Sequence, residues 1–117
     1  MSYDAYNISL VPAADTLQTT DSGITAVAAA TAWIIQNASV HNTSTAAETL
    51  TIHMPNPDAA AATANETVII TILGDETEII SELLGRHMVA GTSLRTVTST
   101  GLVLNLHISL KVVVNNF

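Results

Sequence analysis

This chain contains no cysteine. No disulfide frame and no thiol chemistry can belong to its function, and its redox compartment stays open. Its only cationic side chains are Arg86, Arg95 and Lys111, against ten Asp and Glu and a formal net charge of −7. Phosphate contacts need clustered Lys and Arg, so no nucleic acid is expected as a partner. Attraction to an anionic membrane surface is disfavoured for the same reason. The most apolar early run, residues 24–35, is too short and too rich in alanine to span a bilayer, so no membrane role is expected. Met1-Ser2-Tyr3-Asp4 does not begin a basic stretch followed by an apolar one, and a secretory signal is not expected.

Charged residues make up 11% of the chain, well below the usual quarter. The outside must therefore be covered by Thr, Ser, Asn and Ala. Such a surface is weakly hydrated and suits packing against copies of itself or a partner. Threonine also favours strands, which would account for the composition without any partner. Aromatics are only 3%, too sparse for the exposed platform of a sugar-binding module. Trp33, beside Ile34 and Ile35, reads as core or interface packing.

Motifs that carry chemistry are missing too. The four histidines, His41, His53, His87 and His107, show none of the close spacings of a zinc site. His41 and His53 could face each other across a hairpin, but no third ligand is evident, and exposed strand histidines are much the better reading. A cupin-like His-x-His with a downstream Glu is absent. Glu76, Glu78 and Glu82 cluster on one segment, where a solvated face is a better reading than a glycosidase pair. Asp58 and Asp75 are too isolated for calcium. No Gly-x-Ser-x-Gly nucleophile elbow occurs. Sequons at Asn7, Asn37, Asn42 and Asn65 follow from the Asn, Thr and Ser richness. No catalytic, cofactor-binding or metal-binding residue is assigned, and an enzyme is not expected.

What the chain does have is alternation. In residues 102–114 every even position is large and apolar: Leu102, Leu104, Leu106, Ile108, Leu110, Val112 and Val114. The odd positions include Asn105, His107, Ser109 and Lys111. Period-two alternation predicts a strand with one buried face, roughly 43 Å long at ~3.3 Å per residue. Residues 6–11 alternate as well and stop at Pro12. Residues 16–20 predict a short edge strand before a turn at Asp21-Ser22-Gly23. Residues 26–32 are ambiguous between helix and strand.

Residues 31–42 predict a second strong strand. Trp33, Ile34 and Ile35 are consecutive, and then Ala38 and Val40 take the inward positions. The inward face settles on even positions, so a bulge or sheet corner is expected near residues 35–37. Residues 42–47 then read as a hairpin loop, and residues 48–54 as a return strand with Leu50, Ile52 and Met54 in and Thr49, Thr51 and His53 out. Residues 58–65 read as a surface loop with one helical turn. Residues 67–73 are apolar on both faces, as a central or covered strand would be. Residues 74–85 carry two readings. Asp75, Glu78 and a stripe of Ile79, Ile80, Leu83 and Leu84 before Gly85 suggest a short helix. A turn at Gly74-Asp75 followed by a strand over 77–83 is the alternative, and is preferred. Ala90-Gly91-Thr92 is a turn, residues 93–99 a strand, and Thr100-Gly101 a turn. The expected fold is all-β, a single-domain antiparallel β-sandwich or jelly roll of about eight strands over residues 1–117. Residues 1–12 are a candidate extended N-terminal arm.

Several blocks resemble a recurrent type of small tailed-bacteriophage virion protein. They are Thr16-Leu17-Gln18-Thr19-Thr20, Trp33-Ile34-Ile35, Val40-His41-Asn42-Thr43-Ser44 and Leu50-Thr51-Ile52-His53. Leu83-Leu84-Gly85, Val89-Ala90-Gly91-Thr92-Ser93-Leu94 and the Val- and Leu-rich last strand follow in order. The chain departs from the pattern in its alanine-rich 59–64 insert and in residues 75–84. The resemblance implies a β-sandwich structural protein without catalytic residues, such as a capsid decoration (cement) protein or a neck or tail accessory. The partner implied is the major capsid protein or another virion protein, with a homo-oligomer, a trimer for preference. The candidate interface residues are Tyr3, Tyr6, Trp33, Asn105, His107, Ser109 and Lys111. A carbohydrate-binding or adhesin module is the rival from a different class.

Overall fold

A computed structural model describes residues 2–10, 16–18, 27, 31–100 and 103–114, with residues 2–10, 16–18 and 114 described as backbone. The predicted last strand is β9 (Leu104–Val114). Leu104, Leu106, Ile108, Leu110 and Val112 are buried, as the alternation requires. β9 pairs on one side with β1 (Ser2–Leu10) and on the other with β3 (Thr31–Asn42). The other strands are β2 (Thr16–Gln18), β4 (Glu48–His53), β5 (Glu66–Ile72), β6 (Thr77–Ile79), β7 (His87–Val89) and β8 (Leu94–Thr98).

All pairings are antiparallel. One sheet runs β1-β9-β3-β6, with β7 beside β6 on the same edge of β3. The facing sheet runs β2-β8-β4-β5. The pairs nest: β4 with β5, β3 with β6, β2 with β8, β1 with β9. A long hairpin folded over on itself produces this order, which is the wiring of a jelly roll. The all-β sandwich is therefore as expected. Inner-face residues of both sheets, among them Trp33, Ile35, Val40, Leu50, Ile52, Ile72 and Leu106, form one core.

The bulge expected in β3 is present between Ile35 and Asn37. Ile35 pairs with Leu110 and Asn37 with Ser109, so Gln36 is the extra residue. Before it the odd residues Trp33 and Ile35 are buried; after it the even residues Ala38, Val40 and Asn42 are. One inserted residue thus reconciles a parity change in β3 with unbroken alternation in β9.

The same bulge decides residues 74–85. The Gly74-Asp75 turn leads into β6, which pairs with β3 only over Ser39–His41. At the bulge the strand cannot continue, and a 3-10 turn, Ser81–Leu83, takes over. It is fastened by Ile80 N–H to the Ala38 carbonyl (2.9 Å) and Gly85 N–H to the Ile35 carbonyl (2.8 Å). Ile80 and Leu83 fill the core there, while Ile79 and Leu84 remain exposed. The strand reading holds for three residues and the helical stripe for one turn.

Four expectations need correction. β3 and β4 do not form a hairpin: they lie in opposite sheets, and residues 42–47 are a crossover between them. The chain crosses because Asn42, fully buried, bonds within its own loop instead of turning back. Its Oδ1 accepts from the Ser44 N–H (2.9 Å) and hydroxyl (2.8 Å), and its Nδ2 donates to the Ala46 carbonyl (2.7 Å). β5 is an edge strand, not a central one, and its Ile69 is 61% exposed. Residues 2–10 are a strand paired with β9 along its whole length, not a detached arm. His53 is buried, although it stands on the outward face with Thr51, because residues 59–65 fold over it. The expected one-turn element there is the 3-10 turn Thr63–Asn65. The expected turn at residues 21–23, most of residues 26–32, and Pro12, Gly101 and Leu102 lie outside the described residues.

Candidate functional site

Three surfaces could carry function, and the strand register builds each. The first is the outer face of the five-stranded sheet. Asn105, His107, Ser109 and Lys111 alternate outward from β9, as read from the sequence. Asn105 pairs with His41, His107 with Ser39, Ser109 with Asn37 and Lys111 with Ile34. His41 Nδ1 is hydrogen-bonded to the Thr77 hydroxyl at 2.8 Å, which extends this polar face onto β6. Tyr3 and Tyr6 stand opposite Val113 and Leu110 on β1, and their side chains lie outside the described residues. Trp33 does not belong with this group. It is 1% exposed, on the inner face opposite Val112, so the interface role given to it is corrected to core packing.

The second surface was not foreseen. The exposed large hydrophobics among the described residues are Ile69, Leu73, Ile79, Leu84 and Val89. All belong to β5, β6, β7 or their connections, the elements at the flank of the sandwich opposite the β1 and β2 edges. A flank of open strand edges carrying apolar side chains favours association. The sequence signal was the two-faced apolar run 67–73. A strand buried on both faces and an edge strand with one apolar residue facing out look alike without the pairing order.

The third is a cleft of about 280 Å³ on the outer face of the four-stranded sheet, lined by Thr51, His53, Ala61, Ala62, Thr63, Glu66 and Val97. Its geometry begins with Asn65. That amide donates from Nδ2 to the Ala60 carbonyl (3.1 Å), and its Oδ1 accepts from the Ala62 N–H (3.1 Å). The amide orientation is therefore set, and Oδ1 can only accept from His53 Nδ1, 2.7 Å away. His53 carries a proton on Nδ1, and in the neutral ring Nε2 is a lone-pair acceptor. Directly across the β4–β5 ladder stands Glu66. Directly across the β4–β8 ladder stands Arg95. Its guanidinium grips Asp58 through Nε–Oδ1 (2.9 Å) and Nη2–Oδ2 (3.1 Å). The hydrogen bond from Arg95 holds the Asp58 carboxyl below the ordinary carboxylate range, with desolvation working against it.

His41 and His53, considered together from the sequence, sit in opposite sheets and cannot share a ligand. Among the described residues no group of three or more His, Asp or Glu is placed to hold a metal ion. No helix among them is long and apolar enough to cross a membrane. Compared with protein-family models, curated proteins and solved structures, the chain matches none.

Proposed function

We propose that this chain is a non-enzymatic virion structural protein, a capsid decoration or cement protein that stabilises a head shell through contacts with itself and with the major capsid protein. The observation that carries the reading is the exposure of Ile69, Leu73, Ile79, Leu84 and Val89 along the edge strands β5, β6 and β7 and their connections in a charge-poor jelly roll. Solvated apolar side chains on open strand edges gain free energy only when something covers them. The polar row Asn105, His107, Ser109 and Lys111 offers a second, wetter contact face. The jelly-roll wiring adds a fold-level analogy, since capsid domains use it, as do lectins and cupins. A small protein that bridges several shell subunits adds its binding free energy at each junction. Symmetric self-association, a trimer for preference, would match the symmetry of such a shell.

A neck or tail accessory protein is the nearer alternative. The carbohydrate-binding or adhesin module is weakened by the burial of Trp33, the only tryptophan of the chain. The test is to purify particles from the culture that makes this protein and count its copies against the major shell protein by quantitative mass spectrometry. Near-stoichiometric copies support decoration of the capsid. A few copies per particle would move it to the neck or tail, and complete absence from particles would end the virion reading.

A further inference from the structure

The cleft over β4 offers more than shape. His53 is 4% exposed, its Nδ1 is committed to Asn65, and Nε2 has no hydrogen-bond partner yet is not sealed from solvent. His53 lines the cleft, and Nε2 is the ring nitrogen left to meet a ligand there. We propose that the cleft binds a primary alkylammonium group, either a free small amine or the tip of a lysine side chain.

The donor and acceptor inventory points there. The polar side chains lining the cleft are His53, whose Nε2 is the nitrogen left uncommitted, Glu66, Thr51 and Thr63. An alkylammonium has three N–H donors and no acceptor, which is the complement of this set. Ala61, Ala62 and Val97 supply the apolar wall that a methylene stem needs. His53 and Glu66 make no hydrogen bond or ion pair with each other. Both line the cleft and are register partners, so an ammonium there has an imidazole acceptor and a carboxylate on adjacent strands. Arg95, the register partner of His53 on β8, has its charge matched by Asp58. The field of a chain with net charge −7 draws cations in and repels anions. A structural zinc site would want four protein ligands, and the cleft provides one imidazole and one carboxylate.

The test is an NMR titration of the full chain with n-butylammonium chloride at constant ionic strength, reading the His53 ring and the Thr51, Thr63 and Glu66 amides. We expect saturable shifts confined to these residues, with a Kd on the order of millimolar for so small a ligand. Glu66 is exposed, so Glu66→Gln keeps the fold and should weaken binding about tenfold. Thr51→Val should weaken it several-fold, and n-butanol should move nothing. Nα-acetyl-lysine methylamide separates the sources: binding like that of the amine supports a lysine side chain as the ligand, and its failure beside a binding amine supports free amines. The proposal is overturned if the amine gives no saturable shift, if n-butanol acts equally, if Glu66→Gln changes nothing, or if zinc ions alone move these signals.

Discussion

The side-chain amide of Asn42 donates to the carbonyl of Ile72 at 3.0 Å, joining the last residue of β3 in one sheet to the last residue of β5 in the other. With its bonds to Ser44 and Ala46, this buried side chain uses both of its donors and its carbonyl oxygen. It holds closed the end of the sandwich where the chain passes from β3 to β4 and from β5 to β6 between the sheets.

Replacing Asn42 by alanine should therefore cost far more than its size suggests. The Ile72 carbonyl loses its donor in a buried setting, the Ala46 carbonyl is left with the Ser44 hydroxyl alone, and the loop loses its internal frame. We expect a loss of roughly 2–4 kcal/mol in urea denaturation followed by Trp33 emission. A loss under about 0.5 kcal/mol would mean that the loop is held by its backbone alone.

Gln36 is exposed, so Gln36→Ser should change stability by less than about 0.5 kcal/mol. Deleting it is another matter. Without the extra residue, either Trp33 and Ile35 or Ala38 and Val40 must leave the core. The deletion should abolish the native fold, seen as a red-shifted Trp33 emission and lost chemical-shift dispersion. A folded deletion variant would show that the bulge is incidental.

Two glycines should respond for different reasons. A Cβ on Gly74 would meet the backbone carbonyl of Thr45, where the two crossover segments are pressed together. Gly85 has open space around it, but its φ of +80° disfavours any L side chain. Gly74→Ala should cost about 1–3 kcal/mol through backbone displacement, and Gly85→Ala about 1 kcal/mol through conformation alone. Thermal denaturation of both would show this order, and the reverse order would contradict the close approach at Thr45.

The Asp58–Arg95 pair sets a pH dependence of defined sign. The folded-state pKa of Asp58 is depressed, so its contribution is present above the unfolded aspartate value of about 3.9 and fades as pH falls through the folded value. Asp58 is 36% exposed, so solvent screening keeps the effect below about 1 kcal/mol. Asp58→Asn should be less stable than the parent at neutral pH, and the difference should close in acid. A difference that grows in acid would refute the assignment.

Ile69 faces out from an edge strand that has no lysine or proline to discourage pairing. Ile69→Lys should leave thermal stability within about 0.5 kcal/mol and, in sedimentation velocity, reduce the self-association that the proposed function requires of the parent chain. A large loss of stability instead would place Ile69 in the packing of the monomer.

Strand existence was legible from alternation because a period of two is local and the core face imposes it directly. The parity change at residues 35–37 even located a bulge before any partner strand was known. Pairing was not legible. Asn42-Thr43-Ser44 looks like a hairpin loop in any single strand-loop-strand view, and only the facing sheet turns it into a crossover. The candidate surfaces divide in the same way. The polar row on β9 follows from alternation alone, since odd positions must oppose a buried even face. His53 looked exposed for the same reason, and became a cleft residue because a loop twelve residues later bonds to its ring. Alternation is enough to say that this chain builds sheets and which face of β9 is buried, because those depend on neighbours two residues apart. Which strands are edges, where apolar side chains are left in water, and which polar side chains meet in a cleft depend on contacts between distant segments, which no local pattern records.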